Sequence, residues 1–194
     1  MSLASCVIGC RVKSGRAIGV VLGGRADCPE PIARVVLELS DPAEAATKQP
    51  YHAGFGTERQ DRAEIARLAA IVDRCARQSV ERLWLDERIR GRTCAAAGFV
   101  VGSVIDPERV GNPHIRAHAN EGRLFRTVLE DALRAGGVPT TVLVEKTLSA
   151  QAEKTLNRTG AAIRRVVAGF GQVLGRPWAA DEKAAAIAAW MMLT

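Results

Sequence analysis

The sequence predicts an α/β protein built on a mixed five-stranded sheet, an antiparallel meander followed by parallel strands, with helices on its flanks. Three observations point there. Residues 6–39 hold three apolar runs separated by turn residues, the pattern of a meander. Two later apolar runs, 95–101 and 140–145, each follow a segment of helical period, as parallel strands joined by helical crossovers do. From residue 149 onward the chain reads as helices alone.

Residues 6–12 alternate, with Cys6, Ile8, Cys10 and Val12 on one face and Val7, Gly9 and Arg11 on the other. Ser14-Gly15 is a turn signal and residues 17–22 form a second run, so 6–22 reads as a hairpin. Gly23-Gly24 closes it, and 33–39 is the third strand. Residues 40–56 form a loop, long enough to imply a short helix near 42–47 or a functional role. Thr57 and Gln60 have capping-box spacing for a helix that buries Ile65, Leu68, Val72, Ala76 and Leu83. The run 95–101 has the uniformly apolar character of a central strand. Asn112 is a good N-cap before Pro113, and Gly136-Gly137 ends the helix they begin. A fifth strand over 140–145 and helices over 149–157, 160–174 and 181–193 complete a single domain spanning 1–194.

The composition is that of an ordinary globular chain, with 47% hydrophobic and 25% charged residues. No apolar run approaches a membrane span, and no signal-peptide pattern opens the chain. Five scattered cysteines without a C-x-x-C pair fit reduced thiols, so a cytoplasmic location is expected. The net charge is +6, and it is concentrated. Residues 1–26 contain Arg11, Lys13, Arg16 and Arg25 and no acid; residues 154–180 contain Lys154, Arg158, Arg164, Arg165 and Arg176 and again no acid. Such windows suit a phosphate-rich partner, although arginines also decorate solvated faces.

Within residues 112–135 an unusual stripe appears. At about 100° per residue, His114, His118 and Glu121 share a face with Phe125, Val128, Leu129 and Ala132, while Arg116, Arg123, Arg126, Glu130 and Arg134 take the other. Polar groups in an apolar stripe are hydrogen-bonded, metal-bound or turned toward a cleft, since burying them unpaired is costly. The i, i+4, i+7 spacing suits acid/base chemistry, a metal held by His114 and His118, or a buried hydrogen-bond network. His114 stands in the first helical turn, where the dipole favours a neutral ring. The loop sequence Tyr51-His52-Ala53-Gly54 could bring His52, the chain's remaining histidine, to the same place.

The order of elements, with Gly9-Cys10-Arg11 on the first strand and Asp181-Glu182 leading an alanine-rich last helix, resembles the ribonuclease H-like superfamily. The layout looks like that of the Holliday-junction resolvases, whose first strand usually reads glycine, apolar residue, aspartate. The chain also looks like a group of bacterial proteins sharing an NPHIRAH-type helix, a likeness that adds no function. A resolvase-type nuclease holds two divalent ions with carboxylates, the first on strand one and the second at the end of strand four. Arg11 and roughly Gly102 stand at those places, which leaves Glu145 with Asp181 or Glu182, too few for the usual cage. The actin-like and sugar-kinase branch needs an aspartate in the first hairpin, and Val12-Lys13-Ser14-Gly15-Arg16 has none.

The sequence therefore predicts a ribonuclease H-like domain that binds a phosphate-bearing ligand, nucleic acid or nucleotide, without conventional two-metal cleavage. Arg11, Lys13, Ser14, Arg16, Tyr51, His52 and Arg123 are the expected ligand-binding residues, and His114, His118, Glu121 and Glu145 the expected catalytic ones. The alternatives are a hydrolase using the His/Glu face and a scaffold presenting its arginine face to an acidic partner. Trp178 reads as a packing anchor and Cys10 as a small buried hydrophobe. The cofactor stays open, as does a homo-oligomer, and no membrane association is expected.

Overall fold

A computed structural model of the chain describes residues 4–54 and 56–194. Strands β1 (Ala4–Lys13) and β2 (Arg16–Arg25) form the expected hairpin, with Lys13 opposite Arg16 across the Ser14-Gly15 turn. Gly15 has φ +78°, a conformation that favours glycine in a two-residue hairpin turn. Its carbonyl accepts from the Leu39 amide (2.9 Å) and the Ser40 hydroxyl (3.1 Å), which ties the turn to the end of β3 (Cys28–Glu38).

After β3 come a 3-10 turn at Ala45–Lys48 and a small hairpin of β4 (His52–Gly54) and β5 (Thr57–Glu58), then α1 (Arg62–Leu85). The remaining elements are β6 (Arg92–Val101), α2 (Pro113–Ala135), β7 (Thr140–Val144), α3 (Glu145–Leu156), α4 (Gly160–Leu174) and α5 (Ala180–Met191). The main sheet has the order β3-β2-β1-β6-β7, antiparallel between the first three strands and parallel from β1 to β7. Among the described residues no helix is long and apolar enough to cross a membrane.

The alternation read from β1 divides the core. Cys6, Ile8, Cys10 and Val12 pack with Val72 and Ala76 of α1 and with Phe125 and Leu129 of α2. On the opposite face Val7, Val20 and Val100 meet Val167 and Phe170 of α4 and Ala185, Ala189 and Trp190 of α5. The closest packing is between α5 and β1. A Cβ on Gly9 would lie 2.0 Å from the Ala185 carbonyl oxygen and 2.3 Å from the Ala189 nitrogen, so only a glycine fits. Trp178 lies against Gly171 and donates to the Val167 carbonyl at 3.0 Å, in keeping with a packing role.

Several expected boundaries are corrected. Thr57 does not begin α1, because it pairs with Gly54 in the small hairpin. The N-cap is Asp61, whose carboxylate accepts from the Glu64 amide at 3.1 Å. The fifth strand stops at Val144, and Glu145 is instead the first-turn acid of α3, which begins four residues earlier than its apolar period suggested. Glu130 is buried rather than solvated: α2 touches both α1 and the sheet, and Arg126 and Arg134 flank Glu130 at 3.6 Å each. His114 and His118 are exposed, near the start of α2 where it meets the small hairpin.

The α5–β1 contact is fastened by charge. Arg34 on β3 grips Glu182 with two hydrogen bonds of 3.1 and 2.7 Å, and the same carboxylate accepts from the Ala179 amide at 3.0 Å. Burial pushes the Glu182 carboxyl upward, but the Arg34 bond and the backbone amides outweigh it and hold it below its usual range.

Two outcomes follow from this packing. Gly9→Ala lifts α5 from the sheet and costs about 2–4 kcal/mol, read from the urea midpoint. Because the folded pKa of Glu182 is depressed, the unfolded chain binds the extra proton. The Glu182 contribution is therefore full above the ordinary carboxyl value near 4.5 and is lost as pH falls below it. Glu182→Gln flattens the acid limb of the stability–pH curve.

Candidate functional site

The small hairpin is held onto α2 by Arg116 and braced within itself by Arg59. Arg116 donates to both oxygens of Glu58, at 2.9 and 2.6 Å, and its hydrogen bond holds the Glu58 carboxyl below the usual range. Arg59 donates to the Pro50 carbonyl at 3.0 Å and the His52 carbonyl at 2.8 Å. Together they press His52, which is 7% exposed, against the first turns of α2.

All three histidines meet there. The His52 Nδ1 lies 2.7 Å from Glu121 Oε1, and His52 Nε2 lies 3.3 Å from His114 Nδ1. His118 packs against both at tilted and edge-on angles, with ring centroids 4.5 Å from each, and its Nδ1 is 3.7 Å from Glu121 Oε2. Glu121 is 1% exposed, and its Oε2 has no hydrogen-bond partner. The three rings can each direct one nitrogen to a common point, since those atoms all lie within 4.8 Å of one another. Tyr51 is half-buried beside them; burial raises its phenol pKa, with Arg123 lowering and Glu121 raising it further.

A second cluster forms at the end of β1. Arg11, 7% exposed, donates to the carbonyls of Val12 (3.2 Å) and Val100 (3.3 Å) and to Glu145 at 2.6 Å, and its Nε lies 3.9 Å from Asp181. Lys13 holds the other Asp181 oxygen at 2.8 Å. The carboxylates remaining near strand one are thus neutralised by a guanidinium and an ammonium. A pair of divalent ions, which the resolvase layout would imply, does not fit a donor set that itself carries these cations. Cys10, fully buried next in sequence, behaves as apolar filler, with burial pushing its thiol up to about 12.

Between the two clusters lies a cleft of about 830 Å³, lined by the Arg11–Arg16 hairpin, the segment 101–105 that leaves the end of β6, and residues 118–126 of α2. Its cations are Arg11, Lys13, Arg16, Lys48, Arg123 and Arg126, against one acid, Glu38. The structure therefore gathers Arg11, Lys13, Ser14, Arg16, His118 and Arg123 around one space. His52, His114 and Glu121 adjoin it through His118, and Tyr51 lies near Arg123. Glu145 points to Arg11 and does not line the cleft. Lys48 and Arg126 also line it, though neither stood out in the sequence: the first sits in an irregular turn and the second is one of several helix arginines. The second basic window belongs to α3, α4 and the segment before α5, on the opposite face of the sheet.

With strand order, crossover and flanking helices in view, the architecture is ribonuclease H-like. Among solved structures, the chain is similar to T. thermophilus RuvC in complex with Holliday junction substrate, at a TM-score of 0.54 and 13% identity, covering 96% of this chain and 91% of that one. A second Thermus thermophilus RuvC structure matches at a TM-score of 0.54 and 11% identity, over 96% and 92% of the two chains. No protein-family model matches the chain, and no curated protein sequence does.

Arg116→Ala releases the hairpin that carries His52. Amide exchange over residues 51–58 is expected to speed up roughly tenfold while the global unfolding midpoint moves little, as for a part-exposed pair that clamps one local unit.

Proposed function

We propose that the protein binds a phosphate-bearing polymer, a nucleic acid, in the cleft between the first hairpin and α2, and does not cleave it by a two-metal mechanism. The observation that carries this reading is the convergence of six cations from three separated segments onto one space with a single acid. Arg16, Lys48 and Arg123 are exposed and carry no ion pair among the described residues, so they can approach phosphates, while Lys13 is exposed but paired with Asp181. Bare backbone also faces the space, since a Cβ at Gly102 or Gly122 would meet nothing within 4 Å. The fold supports the reading to the extent that one protein sharing it was solved with a Holliday junction substrate. A free nucleotide would engage the same cations at fewer points.

Arg11 supports the absence of two-metal cleavage. Its guanidinium occupies the reach of Glu145 and Asp181 and supplies fixed positive charge where ions would otherwise be needed. A second reading, a hydrolase using the His/Glu face, is favoured by the meeting of His52, His114 and His118 at the edge of the cleft. The scaffold reading has less behind it, because Arg116, Arg126 and Arg134 of the arginine face are engaged by Glu58 and Glu130.

Binding of a duplex or branched DNA, followed by fluorescence anisotropy, should weaken steeply with salt, with log K falling linearly in log[salt]. Arg16→Ala and Arg123→Ala should each lower the slope by about one and weaken binding similarly across sequences. Salt-independent binding, or none, would overturn the reading.

A further inference from the structure

His52, His114 and His118 come from two separate elements and offer three ring nitrogens to one point. We propose that they form a mononuclear centre for a borderline divalent ion of the zinc class, with Glu121 as the carboxylate that orients the rings. This goes beyond the phosphate-binding reading and does not depend on it.

One separation already matches that chemistry, and the ligating atoms of all three rings lie within 4.8 Å of one another. Zinc–imidazole bonds of about 2.0–2.1 Å place tetrahedral ligand atoms about 3.3–3.4 Å apart. The His52 Nε2 and His114 Nδ1 are separated by 3.3 Å. That separation also allows one hydrogen bond, but such a bond does not account for the third ring, whose centroid lies 4.5 Å from both others.

The tautomers point the same way. The Glu121 carboxylate accepts from His52 Nδ1–H at 2.7 Å, which leaves Nε2 as a lone pair directed at the other two rings. The second oxygen of Glu121 is buried and unpartnered, and His118 Nδ1 is 3.7 Å from it. A cation drawing on His118 Nε2 brings that Nδ1–H onto the waiting oxygen, so one carboxylate fixes two imidazoles. Carboxylate–histidine pairing of this kind is the usual outer shell of a zinc ligand.

The donor set also selects the ion. Three neutral nitrogens with the carboxylate outside the first shell suit zinc and its neighbours, whereas magnesium and calcium require oxygen. Three protein ligands leave a fourth position for water or an anionic oxygen, as in open rather than closed zinc sites. His114 and His118 are exposed, which supplies an entry path, and His118 lines the cleft, so the open position borders it.

The test uses untagged full-length protein, stripped with a chelator and titrated with zinc chloride by calorimetry. One equivalent is expected to bind, and cobalt(II) at the same site is expected to show the visible ligand-field bands of a tetrahedral centre. His114→Ala and His118→Ala, both at exposed positions, should weaken zinc binding by roughly tenfold or more with an unchanged circular dichroism spectrum. Glu121→Gln should weaken it by about 10–100-fold. No stoichiometric binding in the parent protein, or parent-like affinity in both histidine variants, overturns the proposal. The titration contains no nucleic acid, so its result stands apart from failure or success of the salt-dependence measurement.

Discussion

The seating of α5 on β1 is the constraint from which the charged end of the sheet follows. A helix advances about 1.5 Å per residue and a strand about 3.3 Å, so four residues of α5 span nearly the length of two residues of β1. With Ala185 against Gly9, Asp181 therefore falls beside Arg11, and Glu182 falls within reach of Arg34. The spacing works only at close approach, which is why the buried face of α5 is Ala184, Ala185, Ala186, Ala188 and Ala189. A larger side chain in that row would lift the helix and pull both acids off their partners. Trp190 closes the far end, with its indole N–H on the Ala26 carbonyl at 2.8 Å.

That geometry decides what the end of β1 can do. A carboxylate at position 11 would have joined Glu145 and Asp181 in a cation-binding cluster; an arginine there satisfies them instead. The arginine is itself well held, by two backbone carbonyls and the Glu145 oxygen, so the arrangement is rigid and carries its own charge. Removing one partner from such a part-buried set strands the others, which makes it an exacting place to change. With the local acids neutralised by Arg11 and Lys13, Arg16 remains as the unpaired hairpin cation beside Lys48 and Arg123, and the charge concentration seen in the first acid-free window acquires a location.

Much of the fold was legible because period and punctuation are local. The two faces of β1 were readable from alternation, and the two cores follow them residue by residue. Asn112 and Gly136 mark α2 by chemistry that acts within a few positions. The misplaced features share another character. Thr57 has the right spacing for a cap but is claimed by a strand pair with Gly54, and Glu130 looks solvated but is buried between Arg126 and Arg134. The candidate site was legible only in part. Its helical half, His114, His118 and Glu121, shows in the spacing, whereas the place of His52 depends on Arg116 and Glu58, which lie 58 residues apart. No local pattern encodes such a pair.

The position of Glu121 sets this junction apart from the apolar packing around it. It stands one turn before Phe125 on the stripe that fills the core, where leucine would bury apolar area without a polar group to satisfy. Instead the chain places a carboxylate at 1% exposure and leaves one of its oxygens without a partner, a cost of about 1–3 kcal/mol or more for a charged group. Substitution by an apolar residue would remove that cost only by stranding the buried His52 Nδ1 that now pairs with Glu121. The carboxylate makes sense as the fixed member of a polar set that holds His52 in place and leaves the exposed His118 free to turn. His118, half in the cleft and one turn away, is the ring that can respond. The rigid core thus ends in a buried acid, the acid steers the imidazoles, and the outermost imidazole faces the basic cleft.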